Sequence, residues 1–111
     1  YVFEPLDGAN LGGYGNVHVV YSMPGAIRGN HYHVVGTEIC SITGPAQVCY
    51  REAGEVVTRR VPDAEVWRFT FPPGVSHAFR NEGTQPMILA AFNTEAHDPN
   101  RPDAVRDVLI E

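Results

Sequence analysis

Two histidines stand one residue apart in "RGNHYH", at His31 and His33. A carboxylate, Glu38, follows five residues after the second, and a third imidazole, His77, comes just after a Pro-Pro-Gly step in "FPPGVSHAFRN". In an extended strand successive side chains point to opposite faces, so His31 and His33 share a face and Tyr32 points away. Taken alone, such a pair is commonly two polar residues on a wetted surface. Glu38 and His77 change that. The four residues after His33 suffice for a turn that returns the carboxylate to the histidines, and Pro72-Pro73-Gly74 forms a stiff turn that aims His77 inward. Three neutral imidazoles and one carboxylate suit a divalent transition metal such as zinc, iron, nickel or manganese.

Short strands must position these groups. Eleven Gly and nine Pro punctuate runs rich in Val, Ile, Phe and Tyr, the pattern of an all-β chain. The expected strands are "NVHVVYSM", "NHYHVV", "TEICSI", "QVCYRE", "EVVTRRV", "EVWRFTF", "SHAFRN" and "PMILAAF". Turns are expected at "PGAIRG", "TGPA", "REAGE", "PDAE", "PPGV" and "NEGTQ". The closing "PDAVRDVLIE" fits a short helix or a strand equally. Eight or so short strands in 111 residues make one domain, 1–111, built as a barrel or jelly roll with room inside for side chains or one small ligand.

The totals exclude several functions. A net charge of -5 with no Lys/Arg cluster argues against nucleic-acid binding. No apolar run approaches the roughly 20 residues of a membrane span, and no signal peptide is visible, so a cytoplasmic location and no membrane partner are expected. Cys40 and Cys49 are too few for a disulfide scaffold.

The motif residues resemble the cupin superfamily. Its first motif is Gly, five residues, His-x-His, three or four residues, Glu, six residues, Gly; here Gly25, His31, His33 and Glu38 match, and the closing Gly falls one residue early at Gly44. Its second motif is matched by Pro72, Gly74, His77 and Asn81, with Val66 in place of the leading Gly. "RGNHYH", "FPPGVSHAFRNEGTQPM" and "FNTEAHDPNRPDAV" narrow the likeness to the C-terminal cupin domain of capsular polysaccharide-assembling proteins. That resemblance implies a double-stranded β-helix and a zinc site formed by His31, His33, Glu38 and His77. It also implies epimerisation or isomerisation beside the 4-keto group of a nucleotide-linked sugar, and a homodimer paired through an outer sheet or the segment "YVFEPLDGANLGGYGN". The reductase domain that accompanies such cupins is absent from these residues, which leaves room for a different substrate.

Proton transfer beside a ketone needs a base and an acid near the metal. Candidates are Tyr21, His18, Tyr50 and Tyr14. His18 and Tyr21 have opposite parity, so a regular strand turns only one of them inward; Tyr32 should face outward. Arg28, Asn30 and Trp67 are the candidates to meet substrate. Trp67, Phe69 and Phe71 recur at every second position and read first as core or dimer interface. Cys40 and Cys49 both face Glu38's side if the turn centres on Thr43-Gly44 or Gly44-Pro45; they read as small core hydrophobes. His97 is expected to make local bonds in a loop, and Asn81 to tie down a turn. The same metal site would also serve a polyketide cyclase or dioxygenase of secondary metabolism, which the Lys-free, Ala-rich composition, of the kind GC-rich genomes encode, keeps open. A non-catalytic ligand-binding cupin is the third possibility.

Overall fold

The computed structural model describes residues 2–6, 15–95 and 100–111, the first five as backbone alone. The described residues form ten strands and no helix: β1 (Val2–Leu6), β2 (Asn16–Ser22), β3 (Ile27–His33), β4 (Glu38–Thr43), β5 (Ala46–Glu52), β6 (Glu55–Val61), β7 (Val66–Phe71), β8 (His77–Asn81), β9 (Met87–Asn93) and β10 (Ala104–Arg106). They pair antiparallel in two five-stranded sheets, ordered β1-β2-β9-β4-β7 and β10-β3-β8-β5-β6. Each of the eight expected strands is present. The expected turn "PGAIRG" is shorter, because Ile27 to Gly29 already belong to β3, and the ambiguous tail supplies the strand β10. Tyr14 and His97 lie outside the described residues.

Period-2 alternation places the core between the sheets. Along β4, Glu38, Cys40 and Ile42 are buried; along β9, Met87, Leu89 and Ala91 are buried while Ile88 and Ala90 are exposed. Val48, Val61 and Phe79 reach the same core from the other sheet. Burying each of these larger apolar side chains contributes about 1.5–3 kcal/mol.

Between β2 and β9 the tight connections mostly cross from one sheet to the other. The β5–β6 pair is a true hairpin, and its turn residues Ala53 and Gly54 sit at φ 52 and 80, the left-handed values that a two-residue hairpin loop demands. This corrects the expectation for the cysteines. β4 pairs with β7 and β9, while β5 pairs with β6 and β8, so β4 and β5 do not form a hairpin. Cys40 faces the core behind Glu38, and burial pushes its thiol up. Cys49 faces the opposite side of its sheet, packed with Ala78 and Ile110. Both are free thiols.

Candidate metal centre

The ligand cluster bridges the two sheets. His31 and His77 are direct cross-strand partners on β3 and β8, and His33 follows two residues along β3. Glu38 opens β4 on the facing sheet. The four ligand atoms lie within 4.8 Å of one another. Glu38 Oε2 is 2.6 Å from His77 Nε2, 2.9 Å from His33 Nε2 and 3.8 Å from His31 Nε2. A tetrahedral ion with bonds of about 2.0–2.1 Å separates its ligand atoms by roughly 3.4 Å. Shifts of about an ångström would therefore let these four hold a single metal ion.

The backbone around the cluster explains why the sequence takes this shape. Gly74 N–H donates to the His33 carbonyl (2.7 Å) and Val75 N–H to the Pro72 carbonyl (3.2 Å), so the Pro-Pro-Gly turn is tied to the first motif. The same turn brings the Val75 carbonyl within 2.9 Å of His77 Nδ1, which directs Nε2 at Glu38. Phe71, directly opposite Glu38 on β7, stacks on the His77 ring at 4.4 Å and 8°.

Burial alone would raise the Glu38 carboxyl. Hydrogen bonds from His31, His33 and His77 outweigh that and hold it far below the usual carboxylate range.

Arg28 and the two ligand histidines of β3 differ in parity, yet all three face the same interior. A bulge makes this possible. The β3–β8 register shifts between Gly29 and His31, where Gly29 (φ 84) and Asn30 (φ 56) take left-handed conformations. Gly29 admits no side chain, since a Cβ would lie 2.7 Å from the His77 carbonyl oxygen. Beside the cluster is a cavity of about 280 Å³, lined by His18, Arg28, His31 and Glu38 with an apolar wall of Phe79 and Leu89. His18 Nδ1 and Arg28 Nε are buried there without a hydrogen-bond partner.

Other candidates lie elsewhere. Tyr21 is 44% exposed on the outer face of β2, because buried Val20 and Ser22 fix the inward parity that His18 shares. Asn30 does not enter the cavity: its Oδ1 accepts from the amides of Leu109 (2.8 Å) and Ile110 (3.0 Å), and its Nδ2 donates to the Ile110 carbonyl (2.9 Å). Tyr50 faces inward on the far side of His77 but lines a separate cavity of about 340 Å³ with Phe69 and Phe71. Trp67 pairs with Ile42, four residues along β4 from Glu38, and packs on Phe69 in the core. At about 3.4 Å per residue that places it roughly 14 Å from Glu38. Asn81 ties down its turn, donating to the Ser22 and Gln85 carbonyls and accepting from Gly83 N–H.

Sequence reasoning missed the role of the C-terminal segment. β10 pairs with β3 directly behind the ligands, setting Ala104 against His33 and Arg106 against His31. Asp103 accepts from the amides of Val35 (2.7 Å) and Gly36 (2.8 Å), and its Oδ2 lies 3.6 Å from His33 Nδ1. Burial pushes the Asp103 carboxyl up, but the Gly36 and Val35 amides bring it below its ordinary value. Asp107 accepts from Arg51 (2.7 and 3.1 Å) and from Ser76 (2.5 Å), the residue before His77. The only sequence signal was the tail's likeness to the relatives' tails, which carries no role by itself.

The chain resembles known proteins in sequence and fold. The family model for the polysaccharide biosynthesis C-terminal domain matches residues 7–105. The spore coat polysaccharide biosynthesis protein SpsL of Bacillus subtilis is 29% identical over 93 residues, covering 77% of this chain and 62% of that protein. The capsular polysaccharide assembling protein CapF of Staphylococcus aureus superposes with a TM-score of 0.75 at 28% identity, over 84% of this chain and 26% of CapF. A dTDP sugar isomerase of Desulfovibrio desulfuricans superposes with a TM-score of 0.68 at 17% identity, over 86% of this chain and 65% of that one, a likeness of fold alone. The chain thus spans under two thirds of each. No helix among the described residues is long and apolar enough to cross a membrane. With the family match running through both motifs and the tail, this chain belongs to the polysaccharide biosynthesis C-terminal domain family, and its fold is a cupin.

Proposed function

We propose that this chain is a metal-dependent enzyme that isomerises or epimerises a keto-sugar nucleotide. The observation that carries the reading is the His31, His33, Glu38 and His77 cluster opening onto a cavity that also holds His18. Kinship with polysaccharide biosynthesis and capsular polysaccharide assembling proteins supports the sugar substrate. A divalent ion, zinc for preference, would supply Lewis acidity toward a ketone oxygen when bound.

The rest of the chemistry falls to the side chains. His18, on the sheet facing His31, is the acid–base group, taking the proton from the carbon beside the ketone. Apart from the ligands, His18 is the titratable lining residue able to exchange a proton, since Arg28 stays cationic. A base on one face favours isomerisation, in which the proton returns to the neighbouring carbon from the same side. Epimerisation would draw its second proton from water on the other face. Phe79 and Leu89 exclude water from the apolar wall.

Incubation of zinc-loaded protein with 4-keto nucleotide sugars in D2O, followed by NMR, tests the reading. Deuterium is expected at a carbon beside the ketone, with the rate reduced at least a hundredfold in His18→Asn. No incorporation with any such sugar overturns it. A homodimer is part of the proposal, supported by the apolar outer face of the first sheet, where Tyr21 and Ile88 are cross-strand partners and Val66 is 65% exposed. Light scattering at micromolar concentration checks it; a monomer would remove that part.

A further inference from the structure

We infer that Arg28 is the receptor for an anionic oxygen group, carboxylate or phosphate, carried by the ligand of the metal-side cavity. Arginine at the start of β3 could have pointed to solvent. The Gly29–Asn30 bulge turns it instead to the face of His31 and His33, at the expense of a left-handed non-glycine residue, Asn30. Once inside, the guanidinium finds no counter-charge: among the described residues no carboxylate lies within 4.0 Å of it, and its Nε is buried without an acceptor. Glu38 shares the cavity but is already committed to three imidazoles. A guanidinium is permanently charged and matches a two-oxygen anion with paired donors. The second orphan nitrogen, His18 Nδ1, lines the same cavity from the opposite sheet and reaches a further ligand oxygen.

The size of the cavity narrows the ligand. About 280 Å³ is at the lower end of small-molecule sites, which run from roughly 300 to 1,000 Å³. It admits one sugar ring or a small acid, and a whole nucleotide sugar must leave its base outside. The anion at Arg28 is therefore either a carboxylate on the small moiety itself or the phosphate at the point where a larger ligand emerges.

The inference deepens the proposed function, and rests on it only in placing a metal beside the ligand. Three probes share a carbon skeleton: glycerate, glycerol 3-phosphate and glycerol. Calorimetric titration of the zinc-loaded protein is expected to show at least one anionic probe binding tenfold or more tightly than glycerol. The preference for glycerate identifies a carboxylate ligand and that for glycerol 3-phosphate a phosphate. Because the metal also attracts anions, Arg28→Gln is the deciding variant: the anion preference should fall about tenfold, with Arg28→Lys retaining part of it. Equal binding of all three probes, or a fall of less than threefold in Arg28→Gln with zinc still bound, overturns the inference. Absence of deuterium exchange would remove the proposed reaction and leave this binding result standing.

Discussion

Asn30 precedes the first ligand histidine, and substituting it tests whether the residue serves the fold or the substrate. Its side chain makes three hydrogen bonds to the tail, of 2.8, 2.9 and 3.0 Å, and its backbone sits at φ 56. At about 1 kcal/mol for each bond, Asn30→Ala loses roughly 3 kcal/mol. Alanine held in a left-handed conformation adds about 1 kcal/mol, for a total near 4. Asn30→Gly loses the same bonds without the strain and should be more stable than Asn30→Ala by roughly 0.5–1 kcal/mol, after the extra chain entropy of glycine. Asn30→Asp keeps both bonds accepted at Oδ1 and loses the one donated by Nδ2, at about 1–2 kcal/mol. The loss has a ceiling. Once it exceeds what docks the tail, chiefly the buried Ile110 at about 2 kcal/mol together with the half-exposed Asp107–Arg51 pair, the tail detaches before the barrel unfolds. Urea denaturation of the metal-free protein measures the global term, and hydrogen exchange at the Leu109 and Ile110 amides detects detachment. A loss below 1 kcal/mol with protected tail amides, or Asn30→Gly less stable than Asn30→Ala, would refute this reasoning.

Asp103→Asn removes the carboxylate behind His33 and is expected to weaken zinc affinity about tenfold in a chelator competition. Thr94→Ala, which removes a bond to Thr37 N–H in the same β3–β4 connection, should leave affinity within threefold; equal losses would assign Asp103 to loop structure alone. Asp107 is lowered from its ordinary 3.8 to about 2, first by the Arg51 hydrogen bond and then by Ser76. A depressed carboxyl stabilises the fold above its unfolded value, and that contribution is lost as pH falls from about 4 toward 2. The full shift corresponds to about 2.4 kcal/mol, reduced to roughly 1 by solvent screening at this half-exposed pair. Asp107→Asn should flatten acid unfolding over that window, and an unchanged slope would contradict the assignment. His77→Ala should abolish stoichiometric zinc in metal analysis of protein purified without chelator, whereas Tyr21→Phe should retain it; zinc retained at wild-type level in His77→Ala would remove His77 from the ligand set.

The grouping of the four clustered residues was legible in the sequence because two local rules suffice for it. Alternation along a strand puts His31 and His33 on one face, and a stiff Pro-Pro-Gly turn presents His77. Strand positions were legible for the same reason: period-2 patterning and turn residues act over a few neighbours. The order of strands in the two sheets was not, because it depends on which edges pair, and the turn at Gly44-Pro45 looks like a hairpin whether or not its strands pair. That ambiguity misplaced Cys49. The choice between His18 and Tyr21 waited on burial of Val20 and Ser22, a property of the facing sheet and not of β2 itself. That Arg28 faces the cavity while Asn30 binds the tail was not legible, because the bulge depends on backbone conformation at Gly29 and Asn30, which residue types permit but do not compel.

Residues 28–33 therefore divide into two kinds of information. The sequence by itself determined the donor set, since imidazole and carboxylate chemistry travels with residue type, and it determined the β class, since alternation is local. Tertiary structure alone decided that β10, some 70 residues along the chain, lies against His31 and His33, and that Asp103 stands behind the ring of His33. Contacts at such separation arise from sheet pairing and burial summed over the whole barrel, and no short window of sequence contains that sum.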